Sequence, residues 1–416
     1  MVKGIVFCFP YRGVGGVPVL FSRIADRLAR SGQHRIFVVD YPDGAMASSV
    51  AGEQITLIPY EDDVPVFIPD DVILVFQSLN PWAIYSNLRI PGNVRIFFWN
   101  CHPFNLVPVF PGLRWLMMSN VRFGRFMLAT VLRRYRTIVV RLIAFLLERK
   151  ALVFMDKTNA DNTQNYLGIS LPQQDYLPVP AGSVCERIHR PSRNWAAEGL
   201  RLAWIGRIAD FKYPILSKTL SLLDRVAPAL GVPIRFMIVG EGPHLDDLRR
   251  DIAMLENVEV ELVGEMPGSN IAPFLTERVD ILFAMGTSAL EGARLGVPTV
   301  LLDVAYGPVP DGYVFSWLHE RSGFTLGEVM SPSLIQPGNA SLETILRSAM
   351  TDFDGVSRAA HTYYGAAHSP ASVTEKFLRL VELSHCFYKD FEMAGFSSRD
   401  PVYEIFAVLR RRFVSR

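Results

Sequence analysis

Short continuous apolar runs alternate with segments whose apolar residues recur every three or four positions, and the alternation continues through most of the chain. In the first half the apolar runs are Gly4–Phe9, Arg35–Asp40, Gln54–Ile58, Val72–Phe76, Val94–Trp99 and Ala151–Phe154. Between the first two lies the amphipathic stretch Pro18–Arg30, with proline in its first turn and Gly32 past its end, which is helix punctuation. Runs without a polar face predict strands buried on both sides, and strands interleaved with helices predict a parallel, doubly wound sheet. After a stretch rich in Pro, Gly and Ser from Leu177 to Gly199, read as a linker, the alternation restarts. Strands are expected at Leu200–Ile205, Ile234–Val239, Val258–Val263, Val279–Phe283 and Thr299–Leu302. Helices are expected at Ile215–Leu230, His244–Leu255, Ile271–Glu277 and Ser288–Leu295, with further helical patterns after Leu342.

The fold class expected is therefore α/β, with two tandem Rossmann-like domains facing a central cleft and a helical C-terminal tail. The first domain spans residues 1–185, joined by a C-terminal helix at about 386–416, and the second spans 196–385. Ligands of open α/β sheets bind outside the carboxyl ends of the strands, so chemistry is sought there.

Composition narrows the classes. Half of the 416 residues are hydrophobic, 20% are charged and the mean hydropathy is +0.20, which excludes a disordered chain. Lys and Arg number 42 against 41 Asp and Glu, so no overall charge draws the protein to nucleic acid, and none is expected as a partner. Cys8, Cys101, Cys185 and Cys386 are far apart, without metal-ligand or disulfide-framework spacing. The N-terminus reads as a strand, not a signal peptide, and the longest apolar stretch, near 137–147, is interrupted by Arg141. The expectation is a reduced, cytoplasmic protein without a spanning helix.

Candidate chemistry sits where strands end. Gly13-Val-Gly15-Gly16-Val-Pro18 joins the first strand to the first helix and is either a phosphate- or sugar-contacting loop or a tight turn. It is not a dinucleotide fingerprint, whose third glycine would fall on Pro18. Asp40 ends the second strand, as a ribose-binding acid would, although strand-terminal Asp is common. In Trp204-Ile-Gly206-Arg207-Ile-Ala-Asp-Phe-Lys212 a strand ends at Gly206 and two cations follow on one loop. They suit a diphosphate, or they are solvated loop charges. In Asp280-Ile-Leu-Phe-Ala-Met-Gly286-Thr287-Ser288-Ala-Leu-Glu291 the hydroxyls at a helix start can bind phosphate or cap the helix. Glu291 can accept from a ribose diol or offset the helix dipole.

Together Gly13–Gly16, Gly206-Arg207…Lys212, Val239-Gly-Glu241-Gly-Pro243 and Leu290-Glu291…Gly296-Val-Pro298 resemble the GT-B glycosyltransferases, in particular the large retaining family that uses nucleotide sugars. The likeness is strongest from Leu200 to Asp303. It implies that Arg207 and Lys212 neutralise the nucleotide diphosphate and that Glu291 binds the ribose. His102, after the strand Val94–Trp99, matches a histidine often placed near the reacting sugar, or it is a satisfied core residue. The residues expected at the reacting centre are His102, Arg207 and Lys212. Those expected on the donor are Gly15, Gly16, Gly206, Glu241, Gly286, Thr287, Ser288 and Glu291, with Gly264–Gly268 facing the base. This chain departs from the family at Phe283, where an earlier glutamate is usual, and Gly286-Thr287-Ser288 is closer to GT-B enzymes that hold phosphate with hydroxyls.

The function implied is transfer of a sugar from a nucleotide diphosphate sugar to a glycan or lipid-linked acceptor in surface glycan synthesis, with retention. The alternatives are a GT-B nucleotide-sugar epimerase and a catalytically silent nucleotide-sugar-binding or assembly protein. No cofactor and no metal are expected, because cationic side chains and helix ends can stabilise a departing diphosphate. Residues 121–150 carry Arg122, Arg125, Arg133, Arg134, Arg136, Arg141, Arg149 and Lys150 against Glu148 alone, interleaved with large apolar residues. This reads either as a basic amphipathic segment on the anionic inner face of a membrane or as a core-facing helix with a basic outer face.

Overall fold

The computed structural model of the protein describes residues 4–13, 15–49, 54–77, 84–110, 113–185, 187, 194–330 and 340–397. They form two units, residues 1–180 with 370–416 and residues 181–369. The first begins β1 (Gly4–Cys8), α1 (Gly16–Ser31), β2 (Arg35–Asp40), α2 (Ala45–Ser49), β3 (Ile55–Pro59), β4 (Val66–Phe67), β5 (Val72–Gln77), β6 (Leu88–Arg89) and β7 (Arg95–Asn100). It continues α3 (Arg114–Ser119), α4 (Val121–Ala129), α5 (Arg133–Glu148), β8 (Leu152–Phe154) and α6 (Lys157–Leu167). Its main sheet has the order β3-β2-β1-β5-β7-β8, parallel throughout, with β4 and β6 as a separate pair.

The strands form because their residues are apolar on both faces. All of β1 and β5 is buried, and the two faces of the sheet feed two separate clusters of core residues. One cluster contains Ile5, Phe7, Phe21, Ile24 and Leu28 beneath α1. It is closed by α14 (Pro370–Leu383), which belongs to this unit: Phe377 stacks on Phe7 at 5.6 Å and also meets Phe97 and Trp99. A buried Phe of this kind contributes about 2–3 kcal/mol, which ties the returning chain to the first sheet. The expected return at about 386–416 thus starts earlier, at Pro370, while residues 398–416 lie outside those described. The last described helix, α15 (Tyr388–Met393), follows a bridge between Phe387 and Arg95.

The second unit contains α7 (Trp195–Glu198), β9 (Leu200–Ile205), α8 (Tyr213–Leu230), β10 (Ile234–Val239), α9 (Leu245–Ile252), β11 (Glu259–Gly264), α10 (Gly268–Arg278) and β12 (Ile281–Ala284). After these come α11 (Thr287–Arg294), β13 (Thr299–Leu301), β14 (Ser316–Trp317), α12 (Leu342–Thr351) and α13 (Phe353–Ala367). The sheet order is β11-β10-β9-β12-β13-β14, parallel except for the edge strand β14. The strand expected from Val279 starts at Ile281 because buried Asp280 turns to bind the backbone N–H of Arg201 (2.9 Å) and its guanidinium. In both units the first strand lies inside the sheet and the order reverses beside it, so the crevice for a ligand opens at the carboxyl ends of β1 and β5 and of β9 and β12.

One backbone feature sets the shape of the second edge. Gly240 has φ 129°, and a Cβ there would overlap the carbonyl of Gly206; a Cβ on Gly242 would overlap the carbonyl of Ile208. The turns after β9 and β10 therefore pack main chain against main chain, fastened by Gly206 N–H to Val239 O (3.0 Å) and Ile208 N–H to Glu241 O (2.9 Å). Gly240→Ala combines a disfavoured φ with a steric overlap and should destabilise the protein by about 2 kcal/mol or more, read by chemical denaturation. Unchanged stability would show that the two turns can separate without cost.

Candidate functional site

The edge of the second sheet gathers most of the expected residues. Trp204, buried in β9, donates its indole N–H to the carbonyl of Gly206 at 3.0 Å and so fixes where the chain leaves the strand. Lys212 is the N-cap residue of α8, and its ammonium lies 3.3 Å from the position a Cβ on Gly206 would take. A cation at a helix N-terminus opposes the helix dipole, and α8 has no acidic residue in its first turn to offset it. Burial pushes the Lys212 ammonium below its usual range. Among the described residues neither Lys212 nor the exposed Arg207 has a carboxylate partner. This is unlike buried Asp280, which pairs with Arg201, and buried Asp303, which accepts from Arg321 (2.9 Å), Glu328 N–H (2.9 Å) and the Tyr313 hydroxyl (3.1 Å).

On the neighbouring strand, Met285 and Gly286 alone join β12 to α11. Gly286 has φ 64° and ψ −147°, a conformation reserved for glycine, and its N–H donates to Leu326 O at 2.7 Å. That N–H is therefore occupied within the fold. Thr287 is exposed and Ser288 half-buried in the first turn, with no side chain capping the helix and no acid beside it. The N–H groups of Thr287 and Ser288 have no acceptor within α11. Side chains close some helices, Asp156 on α6, Ser341 on α12 and Asp352 on α13, whereas α3, α5, α9, α10 and α15 start without one, as α11 does. The short connection also accounts for Phe283. Position 283 lies within β12, fully buried against Phe236 and Phe315, where a carboxylate has no place.

Glu291 lies half-buried on α11, and its carboxylate is held by Arg294, a residue the sequence reading passed over although an acid and a base three apart on a helix form a legible pair. Glu241 is exposed at the turn after β10, close to Gly264 at the end of β11. Most of 264–268 is exposed.

In the first unit, α1 starts at Gly16 with Gly15 as an extended N-cap residue; it too lacks a side-chain cap and a first-turn acid. A Cβ on Gly16 would meet nothing within 4 Å, whereas one on Gly13 or Gly15 would crowd the Tyr11 ring. Asp40 is not available to a ribose. Fully buried, it accepts the N–H groups of Tyr11, Tyr41, Met46 and Ala47 at 2.8–3.1 Å, fastening the glycine loop and the start of α2. His102 follows β7, where its Nδ1 accepts the Phe104 N–H at 3.2 Å. The neutral ring then carries its proton on Nε2 as a donor. In the same unit Asn100, Asn105 and Asn162 leave side-chain N–H groups, and Asn159 a carbonyl, without partners among the described residues.

The basic segment forms two helices, α4 and α5, rather than one. Val139, Leu142, Ile143 and Leu146 of α5 enter the core, as an ordinary packed helix would have them. Arg136 donates to Leu167 O at 2.7 Å, and Arg149 pairs with Glu148 over the Phe145 ring. Phe126 and Val131, 61% and 62% exposed, stand outside among the exposed Arg122, Arg125, Arg133 and Arg134. Among the described residues no helix is long and apolar enough to cross a membrane, and no cluster of His, Cys, Asp or Glu is placed to hold a metal ion.

Burial, and then the Arg114 charge, lowers the His102 pKa, whereas Asp247 and Asp210 raise that of half-buried His244. In an NMR titration His102 should lose its proton below the ordinary histidine midpoint of about 6.5 and His244 above it. Since the folded chain resists protonating His102, acidification through that range removes stability at this position. His244 acts in the opposite sense, its contribution being lost as pH rises through its raised midpoint. A His102 midpoint above that of an exposed histidine would remove it from its buried setting.

No protein-family model and no curated protein matches the chain. Among solved structures it is similar to a glycosyltransferase from Rickettsia africae ESF-5, at 12% identity and a TM-score of 0.52, over 92% of this chain and 98% of that one. It also aligns, at 10% identity and a TM-score of 0.46, with HepE of Anabaena in complex with UDP-glucose, over 91% and 99% of the two chains. With two doubly wound units and a C-terminal segment returning to the first, the chain has the fold of the GT-B glycosyltransferases.

Proposed function

We propose that the protein is a glycosyltransferase that takes a sugar from a nucleoside diphosphate sugar and delivers it to a hydroxyl-bearing acceptor. The observation that carries this reading is Lys212: a partly buried ammonium without a carboxylate partner among the described residues, set on the N-terminus of α8 beside the Gly206 turn. Such a charge is unfavourable unless an anion completes it, and a diphosphate is an anion of the right kind. Arg207 on the same loop and the uncapped start of α11 offer further donors to its oxygens. As the sugar leaves, charge grows on the diphosphate, so these groups bind the transition state more tightly than the donor. Glu291 is assigned to the ribose, and the Nε2–H of His102 to a sugar hydroxyl. Retention of the anomeric configuration is carried over from the sequence likeness, and the anomer of the product tests it by NMR.

Lys212→Ala and Arg207→Ala should each lower turnover by about 2–3 kcal/mol of transition-state stabilisation, one to two orders of magnitude in kcat/KM. The assay is acceptor-dependent release of nucleoside diphosphate from a panel of UDP-, GDP- and dTDP-sugars. Unchanged rates in both variants would overturn the assignment, and donor turnover without acceptor, giving an epimerised sugar, would favour the epimerase.

The second part of the reading concerns the acceptor, which we propose is lipid-linked in surface glycan synthesis and met at an anionic membrane surface. Phe126 and Val131 would enter the interface while Arg122, Arg125, Arg133 and Arg134 meet acidic headgroups. Each such Arg is worth about 1 kcal/mol near an anionic bilayer. Arg122→Glu, Arg133→Glu and Arg134→Glu combined should therefore reduce co-sedimentation with phosphatidylserine vesicles by tenfold or more. Equal partitioning of variant and wild type would return the segment to a core helix with a basic face.

A further inference from the structure

The Glu291–Arg294 pair is more than an ion pair on a helix surface. Arg294 donates through Nε at 3.0 Å and through one terminal nitrogen at 2.7 Å, and both bonds end on the same oxygen, Oε2. The other terminal nitrogen lies 2.6 Å from the Cys185 sulfur and 3.5 Å from the Ser183 carbonyl. A Cβ on Gly182 would touch the Arg294 side chain at 3.2 Å, and that side chain is only 15% exposed. The guanidinium is thus clamped between α11 and the 182–185 segment and cannot follow the carboxylate if it turns. Oε1 takes part in neither bond, and the Glu291 side chain keeps 30% of its exposure.

We propose that Arg294 is a positioning residue that makes this site select ribonucleoside diphosphates over their 2′-deoxy counterparts. By occupying Oε2 it presents Oε1, with two lone pairs, in one orientation to the ribose diol. A carboxylate ordered before the ligand arrives loses less freedom on binding. A site built to accept from a hydroxyl penalises the ligand that lacks it, because the carboxylate oxygen then stays unpaired. The inference rests on the reading that Glu291 meets the ribose. A purely structural i,i+3 pair would change the stability of α11 and leave ligand discrimination alone.

The experiment is calorimetry on the full chain with UDP, GDP and ADP and with their 2′-deoxy counterparts. Wild type should bind the preferred ribonucleotide at least about tenfold more tightly than its deoxy form. Arg294→Met should reduce that ratio to about twofold, Glu291→Gln should reduce it similarly, and the double variant should add little, since the two act as one unit. Arg294→Lys, which keeps the charge without the fork, should fall between. If Arg294→Met keeps the wild-type ratio while Glu291→Gln loses it, Arg294 merely supports the helix; this inference falls and the ribose role of Glu291 stands. Tighter ribonucleotide binding by Arg294→Met would also overturn it, by showing that arginine competes with the diol. An unchanged ratio in Glu291→Gln, or no binding of any of the six ligands by wild type, overturns the ribose assignment and this inference together. Should Arg294→Met fail to fold, the same ratio is read on Arg294→Gln, where a wild-type value overturns the proposal.

Discussion

The arrangement of the second unit depends on two turns packed main chain to main chain. Gly240 and Gly242 have no side chain at the positions where the carbonyls of Gly206 and Ile208 pass, and any Cβ would force the turns after β9 and β10 apart. The consequences run outward from that contact. The Gly206 carbonyl, kept in place, receives the Trp204 indole N–H, and the Gly206 turn leads through Ala209 into the N-terminus of α8. Lys212 stands where that helix begins because Gly206 offers it space. A side chain on Gly240 or Gly242 would displace a backbone edge that cannot be rebuilt by rotating a side chain.

Charge in this unit is handled in two contrasting ways. Asp303, Arg321, Glu328 and Tyr313 form a buried set whose partners are internal; burial raises the Asp303 pKa, while Arg321 and the Glu328 N–H work in the other direction. Such a set holds the loop through Leu326, whose carbonyl takes the N–H of Gly286 and so fixes the corner at the start of α11. Lys212, Arg207 and the first turn of α11 have no internal anion among the described residues. A protein that satisfies its buried polar groups in one place and leaves like-signed ones open in another directs the open ones at something external.

The first unit applies the same topology with different fastening. Its glycine loop is held from below by Asp40, whose carboxylate accepts four backbone N–H groups and leaves nothing for a ligand. Among the described residues of this unit, the polar groups left unsatisfied include the uncapped start of α1, the side-chain N–H groups of Asn100, Asn105 and Asn162, and the side-chain carbonyl of Asn159. Lys212 and Arg207 stand at the second edge, while at the first the half-buried His102 ring lies within reach of the Arg114 charge.

Read alone, the sequence determined the parallel strands of both sheets and their order along the chain, though not the short elements α2, β4, β6 and β14. Strands apolar on both faces and helices with one apolar stripe are local patterns, and Gly286 and Gly296 mark strand and helix ends by their own conformational freedom. It also placed Arg207 and Lys212 on the loop after β9 and Glu291 on the helix after β12, because short connections leave few positions to choose from. What it could not decide was which polar groups are already spent. Asp40 looked like a ribose acid until four N–H groups from two separate segments closed on it, and Arg136 looked like surface charge until it met Leu167 O. Phe283 looked like a lost glutamate, and the two-residue connection between β12 and α11 buries that position instead. Whether a charge is paired depends on residues far away in the chain, and only the packing of the sheets brings those within hydrogen-bonding distance.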